Sequence, residues 1–103
     1  MNMKVKIALS HIQDALNAVN QAIKCFNSDF SFTSIQQLNL FRSELERMKI
    51  EVEASILIPQ NRRSSWMGRT ICDGWPLESS LGELIARAEN SYVTYQNQIG
   101  HRK

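Results

Sequence analysis

The stretch PQNRRSSWMGRTICDGWPLES, residues 59–79, decides how the rest of the chain must fold, because it is the longest interruption of the helical periodicity on either side. It holds both prolines, both tryptophans and three of the arginines of the 103-residue chain. The segments before and after it read as scaffold, whereas this stretch has the composition of a functional connection. We therefore take it as the reference point for fold and function.

The connection formed by residues 59–79 is longer than usual, since most connections in compact domains have about 4–6 residues. Long connections tend to be either functional or disordered. The two tryptophans with Met67 and Ile71 argue for order. We predict a short helix over about 65–72, capped by Ser64 or Ser65.

Three segments repeat apolar residues at every third or fourth position, the period of an amphipathic helix. They cover about 3–26, 34–58 and 77–99. A chain of this length forms one domain, residues 1–103. The sequence therefore predicts an all-α fold: a bundle of three long helices with a long, ordered connection that contains a short helix.

Signals for helix ends flank the second and third long segments. Thr33 with Gln36, and Ser80 with Glu83, have the form of capping boxes, in which a hydroxyl accepts from a free backbone amide. Pro59 should end the second helix at the residue before it, because that residue is disfavoured in the helical conformation. Phe30 and Phe32, in the turn between the first two helices, are expected to plug one end of the core.

The end of the second helix is apolar on nearly every side. Four apolar residues lie off its core-facing stripe: Ile50, Ala54, Leu57 and Ile58. Because a helix that is apolar all round is normally covered, something must pack on this end. We expect Trp66 and Trp75 to fold back onto it, with a partner protein as the alternative.

The net charge of +2, from twelve basic and ten acidic residues, is too small to indicate a nucleic-acid or membrane surface. The second helix carries the densest charges. Its charged residues are spaced for ion pairs on a solvated face, Arg42–Glu46, Arg47–Glu51, Lys49–Glu53 and Glu44–Arg47. The alternative is an acidic surface that imitates a phosphate backbone and binds a nuclease.

Catalytic and metal-binding patterns are missing from the sequence. A structural zinc site needs four Cys or His ligands at close spacing, whereas Cys25, Cys72, His11 and His101 stand singly. No Gly-rich phosphate loop or nucleophile pattern occurs. We therefore predict no catalytic activity, no cofactor and no metal.

The chain has neither a signal peptide at its amino terminus nor a run of roughly 18 apolar residues. This predicts a cytoplasmic protein without a membrane contact. In that compartment Cys25 and Cys72 are expected as reduced, buried thiols, and a disulfide between them remains an alternative.

Six residues of the connection are the candidate partner-binding residues: Arg62, Arg63, Trp66, Arg69, Asp73 and Trp75. Interface hot spots are enriched in Trp, Tyr and Arg, which favours protein binding. Arginines can also pair phosphates while aromatic faces stack bases, but three arginines make a small electrostatic footprint for a nucleic acid. A third reading is that the tryptophans only close the bundle.

Residues 66–95 contain the pattern G-R-x-x-x-D-x-W-P-x-x-x-x-L-G, formed by Gly68, Arg69, Asp73, Trp75, Pro76, Leu81 and Gly82. This pattern resembles that of small bacterial immunity proteins encoded beside contact-dependent growth-inhibition toxins. The resemblance implies a non-catalytic, cytoplasmic protein that binds and blocks the toxin domain of its own strain, often a nuclease. Nuclease inhibitors are often markedly acidic, so this slightly basic chain favours inhibition more than a nuclease partner.

The sequence thus predicts a protein-binding module, most simply an immunity protein for a cognate toxin domain. The alternative is a small nucleic-acid-binding or regulatory protein that uses residues 59–79. A third possibility is a subunit that associates with itself, since the sequence leaves the oligomeric state open.

Overall fold

The computed structural model describes residues 3–59, 62 and 66–100. Within these residues the chain forms four α-helices and one turn of 3-10 helix: α1 (Met3–Lys24), the 3-10 turn (Ser28–Phe30), α2 (Ile35–Glu53), α3 (Trp66–Gly74) and α4 (Ser80–Gly100). The predicted all-α bundle of three long helices with a short one in the connection is confirmed. The predicted cap of α3, Ser64 or Ser65, lies outside the described residues.

Helix α1 packs along both α2 and α4 and runs antiparallel to each. Lys49, near the end of α2, donates to Gln13 in the first half of α1 at 3.0 Å. His11 lies 2.5 Å from Ser91 in the second half of α4, measured from Nδ1 to Oγ. Helices α2 and α4 are therefore parallel neighbours, and α3 packs on α4 between them.

The core consists of the apolar stripes of all four helices. Its largest fully buried apolar side chains come from every helix: Ile12, Val19, Leu38, Phe41, Leu45, Met48, Val52, Met67, Ile85 and Tyr92. Residues on α1, α2 and α4 recur there at helical spacing because only one face of each helix points inward. The short α3 contributes Met67 and Ile71.

A continuous row of aromatic rings crosses the bundle from the end of α1 to the start of α3. Successive ring centroids lie 5.9, 6.2, 4.7, 5.5 and 5.2 Å apart, in the order Phe26, Phe30, Phe32, Trp75, Phe41 and Trp66. These distances fall in the favourable range for aromatic pairs. The row includes every Phe and Trp of the chain. As predicted, Phe30 and Phe32 pack against one end of the core.

Both predicted helix caps are wrong by one residue. Ser34, not Thr33, caps α2, because Ser34 has the extended backbone that an N-cap requires and its Oγ accepts from the backbone N–H of Gln37 at 3.0 Å. Ser79, not Ser80, caps α4, and its Oγ accepts from the backbone N–H three residues on at 3.1 Å. Helix α2 therefore begins one residue later than its predicted cap implies, and α4 begins one residue earlier.

Helix α2 ends at Glu53, several residues before the point predicted from Pro59. Ser55 adopts a left-handed conformation, with φ 55°, and the backbone N–H of Ile56 reaches back to the carbonyl of Glu51 at 2.9 Å. This bond pattern is a Schellman stop. The helix thus ends at this local pattern and not at the proline, and the chain beyond it is held by Gln96 of α4.

The prediction that the tryptophans cover the end of α2 is wrong. Ile50 and Leu57 keep 62% and 49% of their surface exposed. Trp66 and Trp75 instead pack on Phe41, in the first half of α2, at 5.2 and 5.5 Å between ring centroids. Helix α3 runs back toward the start of α2, which carries both indoles away from its end.

Candidate protein-binding face

The amino terminus of α3 is held by a buried carboxylate from α4. Glu89, 7% exposed, accepts from the backbone N–H of Met67 at 3.0 Å and from that of Gly68 at 2.9 Å. The first N–H groups of a helix lack partners within the helix and attract negative charge. Glu89 thus does for α3 what a capping residue does elsewhere, but from a distant part of the chain.

Two glycines of the G-R-x-x-x-D-x-W-P-x-x-x-x-L-G pattern permit this docking. A Cβ on Gly68 would stand 2.9 Å from Oε1 of Glu89. A Cβ on Gly82 would stand 3.0 Å from the side chain of Ile71 and 3.2 Å from that of Trp75. Part of this sequence pattern is therefore occupied with packing α3 on α4.

Trp75 belongs to the core. It is 6% exposed, lies against Phe32 and Phe41, and donates from Nε1 to Oε1 of Gln37 at 3.2 Å. A buried indole usually finds a hydrogen-bond partner, and this one has it. Of the roles that the sequence allows for Trp75, closing the helical bundle fits its position best.

Trp66 is fixed and yet exposed. Its ring packs on Phe41, its Nε1 donates to Oε2 of Glu44 at 2.8 Å, and 38% of its surface remains open to solvent. The indole therefore offers an apolar face in a defined orientation. It also forms the outer end of the aromatic row.

Glu44, which orients Trp66, is part of a polar network across the bundle. Arg47 forms ion pairs with Glu44 at 2.6 Å and with Glu51 at 3.1 Å. Glu51, 8% exposed, also accepts from the hydroxyl of Tyr92 on α4 at 2.6 Å. Burial raises the pKa of Tyr92 well above its ordinary value, and the hydrogen bond to Glu51 raises it further.

The remaining candidates on α3 share its solvent side. We call Trp66, Arg69, Thr70 and Asp73 the α3 face, because they lie at i, i+3, i+4 and i+7. Arg69 and Asp73 are exposed. Within the described ranges neither forms an ion pair.

Arg62 is also exposed, and its backbone N–H donates to the carbonyl of Pro59 at 2.8 Å. Arg63 lies outside the described residues. The structure thus brings Trp66, Arg69 and Asp73 together on one helix and removes Trp75 to the core.

The charge pattern of α2 forms only half of the predicted pairs. Arg47–Glu51 and Glu44–Arg47 are present. For the described residues, Arg42–Glu46 and Lys49–Glu53 are not ion-paired. Lys49 donates to Gln13 of α1 instead. Part of the charged surface of α2 is therefore used for packing.

The cysteine prediction is wrong in one respect. Both Cys25 and Cys72 are free, but both are exposed, not buried. Cys25 lies just after α1 and Cys72 on the solvent-accessible part of α3, so the core is closed by Trp75 and Ile71 without them. The alternative disulfide is not formed.

Sequence reasoning missed the contact between His11 and Ser91, which are eighty residues apart. A Ser–His pair that acts as a nucleophile also needs unpaired backbone N–H groups close by to stabilise an oxyanion. The backbone N–H groups around Ser91 instead bond to the preceding turn of α4. The contact between His11 and Ser91 joins α1 to α4, and no local sequence signal marks it.

The described ranges contain neither a cluster of metal-ligating side chains nor a membrane-spanning helix. In residues 3–59, 62 and 66–100, no three His, Cys, Asp or Glu side chains converge as a metal site would require. None of the helices described combines the length and apolarity needed to cross a membrane. Comparison with protein-family models gives no match for this chain, and neither does comparison with curated proteins.

Proposed function

We propose that this chain is a non-catalytic, cytoplasmic protein-binding module that binds and neutralises a cognate bacterial toxin domain through the α3 face. The observation that carries the proposal is the state of Trp66. Its indole is fixed by Glu44 and Phe41 while 38% of it is exposed. Arg69 and Asp73 beside it are exposed without ion pairs in the described chain.

A side chain fixed before binding loses little conformational freedom when a partner covers it. Ordering a free side chain at an interface costs about 0.5–1.5 kcal/mol, and a preorganised anchor avoids much of that. Tryptophan and arginine are also the residues most often found at the energetic centre of interfaces. The combination of a rigid indole and adjacent uncommitted charges therefore suits recognition of a protein surface.

The non-catalytic part of the proposal is supported by how the carboxylates are used. Glu51 and Glu89 are buried, and each accepts hydrogen bonds that hold the fold together. The carboxylate of Glu44 is bonded to Arg47 and Trp66. General acid–base work needs a group that can give up or take a proton near the substrate, and these groups have structural partners.

Protein binding is preferred over nucleic-acid binding because of the tryptophans. Stacking of successive bases needs exposed aromatic faces. Trp75 is buried, so Trp66 is the one tryptophan with an exposed face, and a single face cannot stack successive bases.

The test begins with the reading frame next to this gene. The toxin domain encoded there is co-expressed with the wild-type chain, and growth and co-purification are measured. We then expect Arg69→Ala and Asp73→Ala each to weaken binding at least about tenfold, which corresponds to about 1.4 kcal/mol. Arg42→Ala is the matched control, because Arg42 lies on α2 outside the α3 face, and this variant should bind the toxin domain as the wild type does.

The outcomes separate the alternatives. Unchanged toxin binding by both α3 variants, with far-UV circular dichroism intact, would remove the α3 face from the proposal. A chain that instead binds nucleic acid, with affinity falling steeply as salt rises, would favour the nucleic-acid alternative.

A further inference from the structure

Arg69 and Asp73 stand four residues apart on the exposed side of α3, but they do not form an ion pair in the described chain. A cation that precedes an anion at this spacing is the less favourable order for pairing within one helix. The α3 face therefore presents one free positive and one free negative charge. They are separated by about 6 Å along the helix axis, four residues at 1.5 Å each.

We propose that the α3 face binds the α3 face of a second copy of this chain, in a two-fold symmetric dimer. A two-fold interface uses the same patch on both copies, so the patch must be complementary to itself. When two α3 helices cross antiparallel about an axis near the level of Ile71, each Arg69 faces the Asp73 of the partner. Two ion pairs between Arg69 and Asp73 then join the copies, whereas these two residues form none within a single copy.

The same axis places apolar surface beside the two ion pairs. Trp66 lies one turn before Arg69, so in the antiparallel arrangement it comes level with the carboxyl-terminal end of the partner's α3. Leu77, 98% exposed, follows that end. Leu40, 61% exposed, lies one turn before Glu44, the residue that binds the indole of Trp66. Each copy can cover part of this surface on the other.

The inferred dimer is weak. Helix α3 has nine residues and is about 14 Å long, so the contact lies at the small end of interfaces, below about 1,200 Å² in total. Dimers should form reversibly at high protein concentration. This inference does not depend on a toxin, although a toxin bound to the α3 face would exclude the second copy.

Sedimentation of the full chain tests the proposal directly. With rising concentration up to the millimolar range, the average mass of the wild type should increase from 11.8 kDa toward twice that value. Arg69→Asp and Asp73→Arg each place like charges opposite one another across the two-fold axis. Each variant alone should dimerise at least about tenfold more weakly, because like charges in an interface are strongly unfavourable.

An equimolar mixture of the two variants should recover dimerisation, since both cross-copy pairs then join opposite charges. Both substitutions suit the α3 helix, with the acid nearer its amino end and the base nearer its carboxyl end, so folding should persist. Arg42→Asp and Glu46→Arg on α2 have the same spacing and order and form the matched control pair. Neither control should change the mass, alone or mixed.

Three results would overturn the proposal. The first is a wild type that stays at the monomer mass to the highest concentration. The second is a single variant that dimerises as well as the wild type, which would place any dimer on another face. The third is a mixture of Arg69→Asp and Asp73→Arg that associates no better than either variant alone.

Discussion

Replacing Gly68 and Gly74 by alanine, one at a time, tests how α3 is attached to the bundle. Both glycines lie in α3, and neither has a positive φ. Alanine is favoured over glycine in a helix by up to about 1 kcal/mol. Helix propensity alone would therefore make both variants more stable than the wild type.

The surroundings of the two positions differ. At Gly74, the last residue of α3, an added Cβ meets nothing within 4 Å, so alanine should stabilise by up to about 1 kcal/mol. At Gly68 the Cβ would stand 2.9 Å from Oε1 of Glu89, the same oxygen that accepts from the backbone N–H of Gly68. The oxygen can withdraw only by weakening that bond.

A hydrogen bond to a charged group contributes about 1.5–3 kcal/mol. Subtracting the propensity gain of about 1 kcal/mol leaves Gly68→Ala less stable than the wild type by about 0.5–2 kcal/mol. The two variants should thus differ by up to about 3 kcal/mol, with Gly68→Ala the less stable. For a domain of this size, that separates their midpoints of thermal unfolding by up to roughly 24 °C.

Urea unfolding, followed by tryptophan fluorescence and far-UV circular dichroism, measures the free energies of both variants. The same substitution at Gly68 is repeated in a Glu89→Ala background, where no carboxylate meets the new methyl group and alanine should stabilise. If Gly68→Ala proves as stabilising as Gly74→Ala in the wild-type background, then Glu89 does not hold the start of α3.

Three further predictions concern the other tertiary contacts. Ser55→Gly should raise the free energy of unfolding by about 0.5–1 kcal/mol, because a left-handed residue other than glycine is strained. If calorimetry shows no gain, the Schellman motif at the end of α2 is contradicted. The pKa of Tyr92 is raised by burial and by Glu51 above its ordinary value of about 10. The contribution of Tyr92 to stability is therefore fully present below about pH 10 and is lost as the pH rises toward the pKa of the folded state. Stability should therefore fall by up to about 1.4 kcal/mol per pH unit above pH 10, and Tyr92→Phe should flatten that part of a pH series of urea titrations. Gln96→Leu should lower the free energy of unfolding by about 2–3 kcal/mol, whereas Gln98→Leu on the same helix should not, as measured by urea titration.

The Gln96 prediction rests on a contact between α4 and the segment after α2. The side chain of Gln96, fully buried, donates to the carbonyl of Ile56 and accepts from the backbone N–H of Ile58, both at 2.9 Å. It thereby bonds both sides of this segment as a neighbouring strand would, and nothing in the local sequence of α2 indicates this partner. The end predicted from Pro59 is several residues late because Ser55 adopts the left-handed conformation first.

The candidate site was predictable in composition but not in geometry. The residues of segment 59–79 identified Trp66, Arg69 and Asp73 as candidates, and helical spacing suffices to place them on one side of α3. Which tryptophan stays exposed could not be read from the sequence. That depends on Phe32, Phe41 and Gln37, which surround Trp75 but belong to segments more than thirty residues away.

The sequence by itself determined the all-α class, the three long helices and the stripe of each that faces the core, because helical periodicity is a local property of the chain. Only the tertiary structure decided how α3 is attached, what holds the chain after α2 and what becomes of each tryptophan. Those outcomes depend on Glu89, Gln96 and Glu44 meeting residues that are distant in sequence. The physical reason is that a buried polar group bonds to whatever partner the packing supplies, and periodicity carries no information about that partner.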